Sequence, residues 1–112
     1  MAEPYLAQLS QMCESLKIPD VTFECKHFFS GAALYTNGKI CASLGPVGFA
    51  VKLPEVQRRG LISDGKGEQF RFFPDGPIKR EYVLLYEIVI QDENEYQEIL
   101  GMSVSYVLSA AE

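Results

Sequence analysis

Apolar positions near the start of the chain recur with the spacing of a helix. Pro4 suits a first helical turn, because the N–H that proline lacks has no partner there. The apolar residues that follow are Leu6, Leu9, Met12, Cys13 and Leu16. This pattern predicts an amphipathic helix over about residues 4 to 17, closed by Ile18-Pro19-Asp20.

The end of the chain shows the same period. Asp92 followed by Glu95 matches a capping box with aspartate as the cap. The residues that then line one helical face are Tyr96, Ile99, Leu100, Ser103, Tyr106, Val107 and Ala110. We therefore expect a C-terminal helix that packs one apolar side against the rest of the domain.

The segment from Val21 to Leu53 favours strands, and its clearest local signal is Asn37-Gly38. These two residues accept the positive φ angles of a type I′ turn, which joins antiparallel strands. The register that follows has three pairs: Thr36 with Lys39, Tyr35 with Ile40, and Leu34 with Cys41. Leu34 and Cys41 would then share one face of the hairpin.

The remaining elements are predicted from turn and capping residues. Gly45-Pro46-Val47-Gly48 is a turn, and a short middle helix begins at Pro54-Glu55, carries Arg58-Arg59 in its last turn and ends at Gly60. The further strands are Phe49–Leu53, Gln69–Phe73 and Glu81–Ile90. With no βαβ alternation, the order predicts an α+β domain: an antiparallel sheet of about five strands, with the N-terminal, middle and C-terminal helices packed on one face.

Length and composition fit one domain over residues 1–112. The chain has 112 residues, of which 47% are hydrophobic, and this is enough for a core that folds without a metal or a disulfide. Its three cysteines show no paired spacing and no secretory leader is visible, so we expect reduced thiols in the cytoplasm. No apolar run is long enough to span a membrane.

Charge is distributed unevenly along the chain. The formal net charge is −5, yet residues 26–80 carry nine basic and four acidic side chains. The basic residues that could contact an acidic partner are Lys26, Lys52, Arg58, Arg59, Lys79 and Arg80. A nucleic-acid backbone is an alternative partner, although the acidic remainder of the chain disfavours it. A further alternative is self-association into a dimer, in which the basic part of one copy contacts the acidic part of the other.

Chemistry at a catalytic or metal site has little support in the sequence. Cys25 and His27 would project from the same face of a strand, which can make a metal site or an activated thiol. The chain has a single histidine and no C-x-x-C motif, so we expect buried structural thiols, no metal and no cofactor. A small enzyme or ligand-binding site around Cys25, His27 and Tyr35 remains the alternative.

Two stretches carry a resemblance to a known family. They are KHFFSGAALYTNGKICA, from Lys26 to Ala42, and GFAVKLP, from Gly48 to Pro54, and they resemble the N-terminal domain of the TfoX (Sxy) family. The matching positions are Phe29, Gly31, Tyr35, Gly38 and Lys52. Phe72-Phe73-Pro74 and the segment from Lys79 to Val83 look like a single-domain branch of that family, so the resemblance covers most of the chain from about Thr22.

The resemblance implies an α+β domain of a bacterial cytoplasmic protein, with no known catalytic residues. The two-domain members of the family are linked to positive regulation of competence genes, and 112 residues leave no room for their second domain. We therefore expect a non-enzymatic regulatory domain that contacts a protein partner through exposed strand edges and its basic middle segment.

Overall fold

In the part of the chain that the structure describes, six antiparallel strands form one open sheet of an α+β domain. The computed structural model describes residues 3–14, 16, 21–28, 31–71 and 75–109. The elements in chain order are α1 (Glu3–Met12), β1 (Phe23–Phe28), β2 (Gly31–Thr36), β3 (Lys39–Gly45), β4 (Gly48–Lys52), α2 (Glu55–Ser63), β5 (Gly67–Gln69), β6 (Tyr82–Leu85), α3 (Glu87–Ile90) and α4 (Glu93–Ser109). The strand order β1-β2-β3-β4-β6-β5 places β1 and β5 at the edges.

The predicted class and helix placement are confirmed, with one more strand than the five expected. The additional strand arises because the segment before Asn37 forms two paired strands, β1 and β2, in place of one. The predicted strand Gln69–Phe73 is shorter and earlier, since β5 ends at Gln69, and residues 72 and 73 lie outside the described residues.

The core lies between the sheet and helices α1 and α4. Cross-strand neighbours Leu34, Ala42, Val51 and Val83 form one buried row across four strands. Apolar side chains of α1 and α4 complete this core, among them Leu9, Ile99, Leu100, Val104 and Val107. A hydrogen bond of 2.5 Å from Gln97 Nε2 to the carbonyl oxygen of Met12 joins the two helices over the same face.

The β2–β3 hairpin turns as the sequence predicts, but its register slips after two pairs. Asn37 and Gly38 have φ angles of 50° and 82°, and Thr36 lies opposite Lys39 and Tyr35 opposite Ile40. Leu34 pairs with Ala42, so the predicted pairing of Leu34 with Cys41 is wrong. A β-bulge accounts for the difference, because it inserts Cys41 as an extra residue in β3.

The middle helix continues beyond the predicted end at Gly60. The left-handed residue that closes α2 is Gly65, with φ +74°. The N–H of Gly65 donates to the Ile62 carbonyl at 3.1 Å, and that of Lys66 donates to the Leu61 carbonyl at 2.9 Å. These two bonds form a Schellman motif, which satisfies carbonyls that the helix end leaves unpaired.

The predicted strand Glu81–Ile90 divides into two elements. Strand β6 ends at Leu85, and residues 87–90 form the single turn α3. Val89 is buried while Ile88 is 68% exposed, which is the pattern of a helical turn with one side against the core. A short apolar run fits either a strand or a helix, so periodicity alone could not separate the two.

The N-terminal helix is shorter than predicted, whereas the C-terminal helix begins at its predicted cap. Helix α1 ends at Met12, before the predicted residue 17, and Ile18-Pro19-Asp20 lies outside the described residues. In α4 the predicted cap is present, because the N–H of Glu95 donates to Asp92 Oδ1 at 3.2 Å. The buried face of α4 includes Val104, which the pattern missed, and Ala110 lies outside the described residues.

Candidate functional site

A groove beside α2 collects four of the nine basic residues of the middle segment. Glu55, Arg58, Arg59 and Ile62 follow the spacing i, i+3, i+4 and i+7, so they lie on one face of the helix. That face forms one wall of a groove of about 710 Å³. The other residues that line it are Gln69, Pro77, Ile78, Lys79, Arg80 and Tyr82. We call this feature the basic groove.

Arg58 fixes the two walls of the basic groove relative to each other. Its Nε donates to the carbonyl oxygen of Leu53 at 2.8 Å, and its Nη1 donates to the carbonyl oxygen of Arg80. The same guanidinium therefore joins α2 to the segment before β6. This arrangement holds the backbone of Arg80 in place beside the helix while leaving that side chain exposed.

The charge of the basic groove is positive after its one carboxylate is counted. Among the described residues, four cationic side chains line it against the single acidic residue Glu55. Glu55 Oε2 lies 2.6 Å from Arg59 Nη2, and the two side chains are 60% and 79% exposed. An exposed pair one helical turn apart is worth only about 0.3–0.5 kcal/mol, so an incoming carboxylate can compete for Arg59.

Apolar surface lies among these charges. Ile62 is 41% exposed, and Pro77 and Ile78 line the opposite wall. Burial raises the pKa of Tyr82 to about 12, so its phenol stays neutral and adds no negative charge. The basic groove can therefore pair with carboxylates or phosphates through its cations and cover an apolar side chain at the same time.

Four of the six basic residues predicted as contacts line the basic groove, namely Arg58, Arg59, Lys79 and Arg80. Lys52 lies next to it on β4, with its Nζ 3.9 Å from Glu81 Oε1 and 5.8 Å from the ring centre of Tyr82. Lys26 lies on the edge strand β1, three strands from β4, and its Nζ is 3.6 Å from Glu24 Oε1. The structure thus gathers four of these residues and separates Lys26 from them.

The sequence did not indicate the apolar and polar residues that complete the basic groove. They are Ile62, Gln69, Pro77, Ile78 and Tyr82. A usable signal existed for Ile62, since it continues the helical spacing of Glu55, Arg58 and Arg59. The predicted helix ended at Gly60, before Ile62, so this residue was not predicted to lie on the helix.

A second feature brings two cysteines together on the core side of the sheet. Cys25, on β1, packs against the buried cluster that contains Cys13, just after α1, and hydrogen bonding from Cys13 and Ser10 acts on the Cys25 thiol. These bonds lower the pKa of Cys25 to about 7 against the opposing effect of its partial burial. The same contact, together with burial, raises the pKa of Cys13. The pair therefore loses its first proton from Cys25.

The other residues of the predicted thiol site do not all join this pair. Cys25 lies opposite Leu34 in the sheet, whereas Tyr35 lies opposite Glu24, so Tyr35 occupies the other face. His27 shares the face of Cys25 and is exposed. Cys41 is fully buried, and that burial raises the pKa of its thiol to about 12.

Other features offer less chemistry. A smaller cleft of about 390 Å³ between α1, the β3–β4 turn and α3 has Glu87 as its one charged lining residue among those described. In the part of the chain that the structure describes, no group of three or more His, Cys, Asp or Glu side chains is placed to bind a metal ion. Within the same part, no helix combines the length and apolar character needed to cross a bilayer.

Comparison with known proteins adds no assignment to this geometry. No model of a known protein family matches the chain, and no curated protein matches it.

Proposed function

We propose that this domain is a non-enzymatic regulatory module that binds an acidic segment of a partner protein in the basic groove. The observation that carries the proposal is the convergence of Arg58, Arg59, Lys79 and Arg80 around one groove that also exposes Ile62. A segment with several carboxylates and one apolar side chain matches this surface in charge and in polarity. The resemblance to the TfoX N-terminal domain supports regulation through contact with other macromolecules.

An acidic protein segment suits the groove better than duplex nucleic acid does. Binding to duplex DNA depends on several cations that neutralise a long row of phosphates. The chain has a net charge of −5, and residues 81–112 contain seven acidic side chains and no lysine or arginine. A long polyanion would meet this acidic remainder, whereas a short segment contacts only the groove.

Binding of a labelled peptide tests the proposal. The probe is a short fluorescein-labelled peptide rich in glutamate with one leucine, and fluorescence anisotropy reports its binding. We expect binding that weakens as salt rises, because exposed charges are screened. Lys79→Glu combined with Arg80→Glu should weaken binding by at least about tenfold, which is about 1.4 kcal/mol.

A matched variant separates the groove from overall charge. Lys26→Glu combined with Lys39→Glu makes the same change in net charge at two exposed residues outside the basic groove. This variant should bind the peptide within about twofold of the wild type. The proposal fails if both double variants lose binding equally, if a peptide with glutamine in place of glutamate binds as well, or if duplex DNA binds more tightly than the peptide.

A further inference from the structure

The Cys13–Cys25 pair lies outside the basic groove and takes no part in the proposed binding function. The two thiols come from different parts of the chain, one just after α1 and one in edge strand β1. Helix α1 packs on β1, Cys25 packs against the buried cluster that contains Cys13, and the two thiols interact there. Twelve positions separate them in the chain, so a bond between them would fasten the N-terminal helix to the sheet. This juxtaposition is a product of tertiary folding and has no local sequence signal.

The two thiols differ in access to solvent. Cys25 is half-buried, whereas Cys13 is 8% exposed. A dissolved reagent therefore reaches Cys25 first, and Cys13 is shielded but adjacent to it. This is the arrangement in which one cysteine reacts and a neighbouring cysteine resolves the product.

Hydrogen bonding favours ionisation at the accessible sulfur. The Cys13 thiol donates to the Cys25 sulfur, and the Ser10 hydroxyl is a second donor. Thiolates, and not neutral thiols, are the reactive nucleophiles. Among the described residues, Cys41 from β3, which is fully buried, interacts with both thiols, and His27 lies two positions along the same face of β1.

We propose that Cys13 and Cys25 form a peroxide-sensitive dithiol site that closes to an intramolecular disulfide. The Cys25 thiolate attacks one oxygen of a hydroperoxide, an S–O bond forms, the O–O bond breaks, and the leaving oxygen takes a proton and departs as water or an alcohol. The Cys13 sulfur then attacks the Cys25 sulfenic acid. An S–S bond forms, the S–O bond breaks, and the hydroxide leaves as water with the Cys13 proton. The peroxide is reduced by two electrons and the two thiols are oxidised by two.

Peptide mapping after mild oxidation tests the pairing directly. Trypsin separates the three cysteines, because Lys17 lies between Cys13 and Cys25 and Lys39 lies before Cys41. Folded wild-type protein is treated with equimolar hydrogen peroxide, its remaining thiols are alkylated in denaturant, and the digest is analysed by mass spectrometry. We expect residues 1–17 linked to residues 18–26, with Cys41 recovered as an alkylated thiol.

Three outcomes would overturn the pairing. They are a disulfide that includes Cys41, stable oxidation of Cys25 without linkage to Cys13, and no oxidation under conditions that oxidise a free thiol. Because this experiment uses the wild-type chain, its result does not depend on whether a variant folds. It is also independent of peptide binding, so it can fail without affecting the basic groove.

The rate of alkylation tests the contact between the two thiols. The rate of Cys25 modification by iodoacetamide should rise with pH through a midpoint near 7, because the bond from Cys13 lowers the pKa of Cys25. Cys13→Ala removes that bond and should move the midpoint up toward the ordinary thiol value of about 8.5. Cys41→Ala is the matched control, and it should leave the midpoint unchanged. Equal midpoints in Cys13→Ala and the wild type would contradict the proposal.

Discussion

The hydroxyl group of Thr36 lies fully inside the core and finds no hydrogen-bond partner among the described residues. A buried hydroxyl without a partner loses its bonds to water and gains nothing in exchange. Thr36 precedes the turn at Asn37, where its side chain occupies the space that a valine side chain would fill. This residue is therefore a site at which the native side chain lowers the stability of the fold.

Thr36→Val should raise the free energy of unfolding by roughly 1 kcal/mol, because valine keeps the shape and removes the unpaired hydroxyl. Urea denaturation followed by circular dichroism measures the change. Thr22→Val is the contrasting control, since the exposed Thr22 Oγ1 makes a hydrogen bond of 3.1 Å with Asn37 Oδ1. It should give no increase in stability. A lower midpoint for Thr36→Val would show that its hydroxyl is satisfied in solution.

At the scale of elements, α4 compensates for the irregularity in β3. The β-bulge leaves Cys41 without a direct partner across the ladder. The hydroxyl of Ser103 on α4 donates to the carbonyl oxygen of Cys41 at 3.0 Å, inside the core. A helix side chain thus takes the place of a strand neighbour at the bulge.

Ser103→Ala should lower the free energy of unfolding by about 1–2 kcal/mol, because it leaves that buried carbonyl without its donor. Ser105→Ala, at an exposed position of the same helix, should change it by less than about 0.5 kcal/mol. Thermal or urea unfolding of the two variants measures the difference. Equal effects of the two substitutions would contradict the role assigned to Ser103.

Local sequence signals predicted the elements whose cause is local. The Asn37-Gly38 turn and the Asp92 cap depend on residues close in the chain, and both are present. The bulge at Cys41 and the end of β6 at Leu85 depend on contacts with distant elements, so the sequence did not reveal them. The predicted helix end at Gly60 was wrong for a related reason. Glycine can end a helix, but here Gly65 makes the cap.

The tertiary structure decides which basic residues of the middle segment lie together. Segment composition indicated a basic middle region, but only tertiary structure places Arg58 and Arg59 beside Lys79 and Arg80 and leaves Lys26 three strands away from β4. The contact between Cys13 and Cys25 was unpredictable for the same reason. The sequence indicated which residues could form a site, whereas their convergence depends on the order of the strands.

The edges of the sheet bear on how the domain meets a partner. Strand β5 has only three residues, and β1 carries the exposed residues Glu24, Lys26 and His27. Charged side chains on an edge strand disfavour open-ended pairing between sheets. We therefore place the proposed function on the basic groove and not on an edge of the sheet.

Mapping the bound peptide on isotope-labelled protein tests this account most directly. Two-dimensional ¹⁵N NMR spectra would be recorded as the glutamate-rich peptide is added, at low and at high salt. We expect concentration-dependent shifts concentrated in residues 55–62 and 77–82, reduced at high salt. Shifts confined to other surfaces, or no shifts at peptide concentrations in the millimolar range, would contradict the basic groove as the binding site.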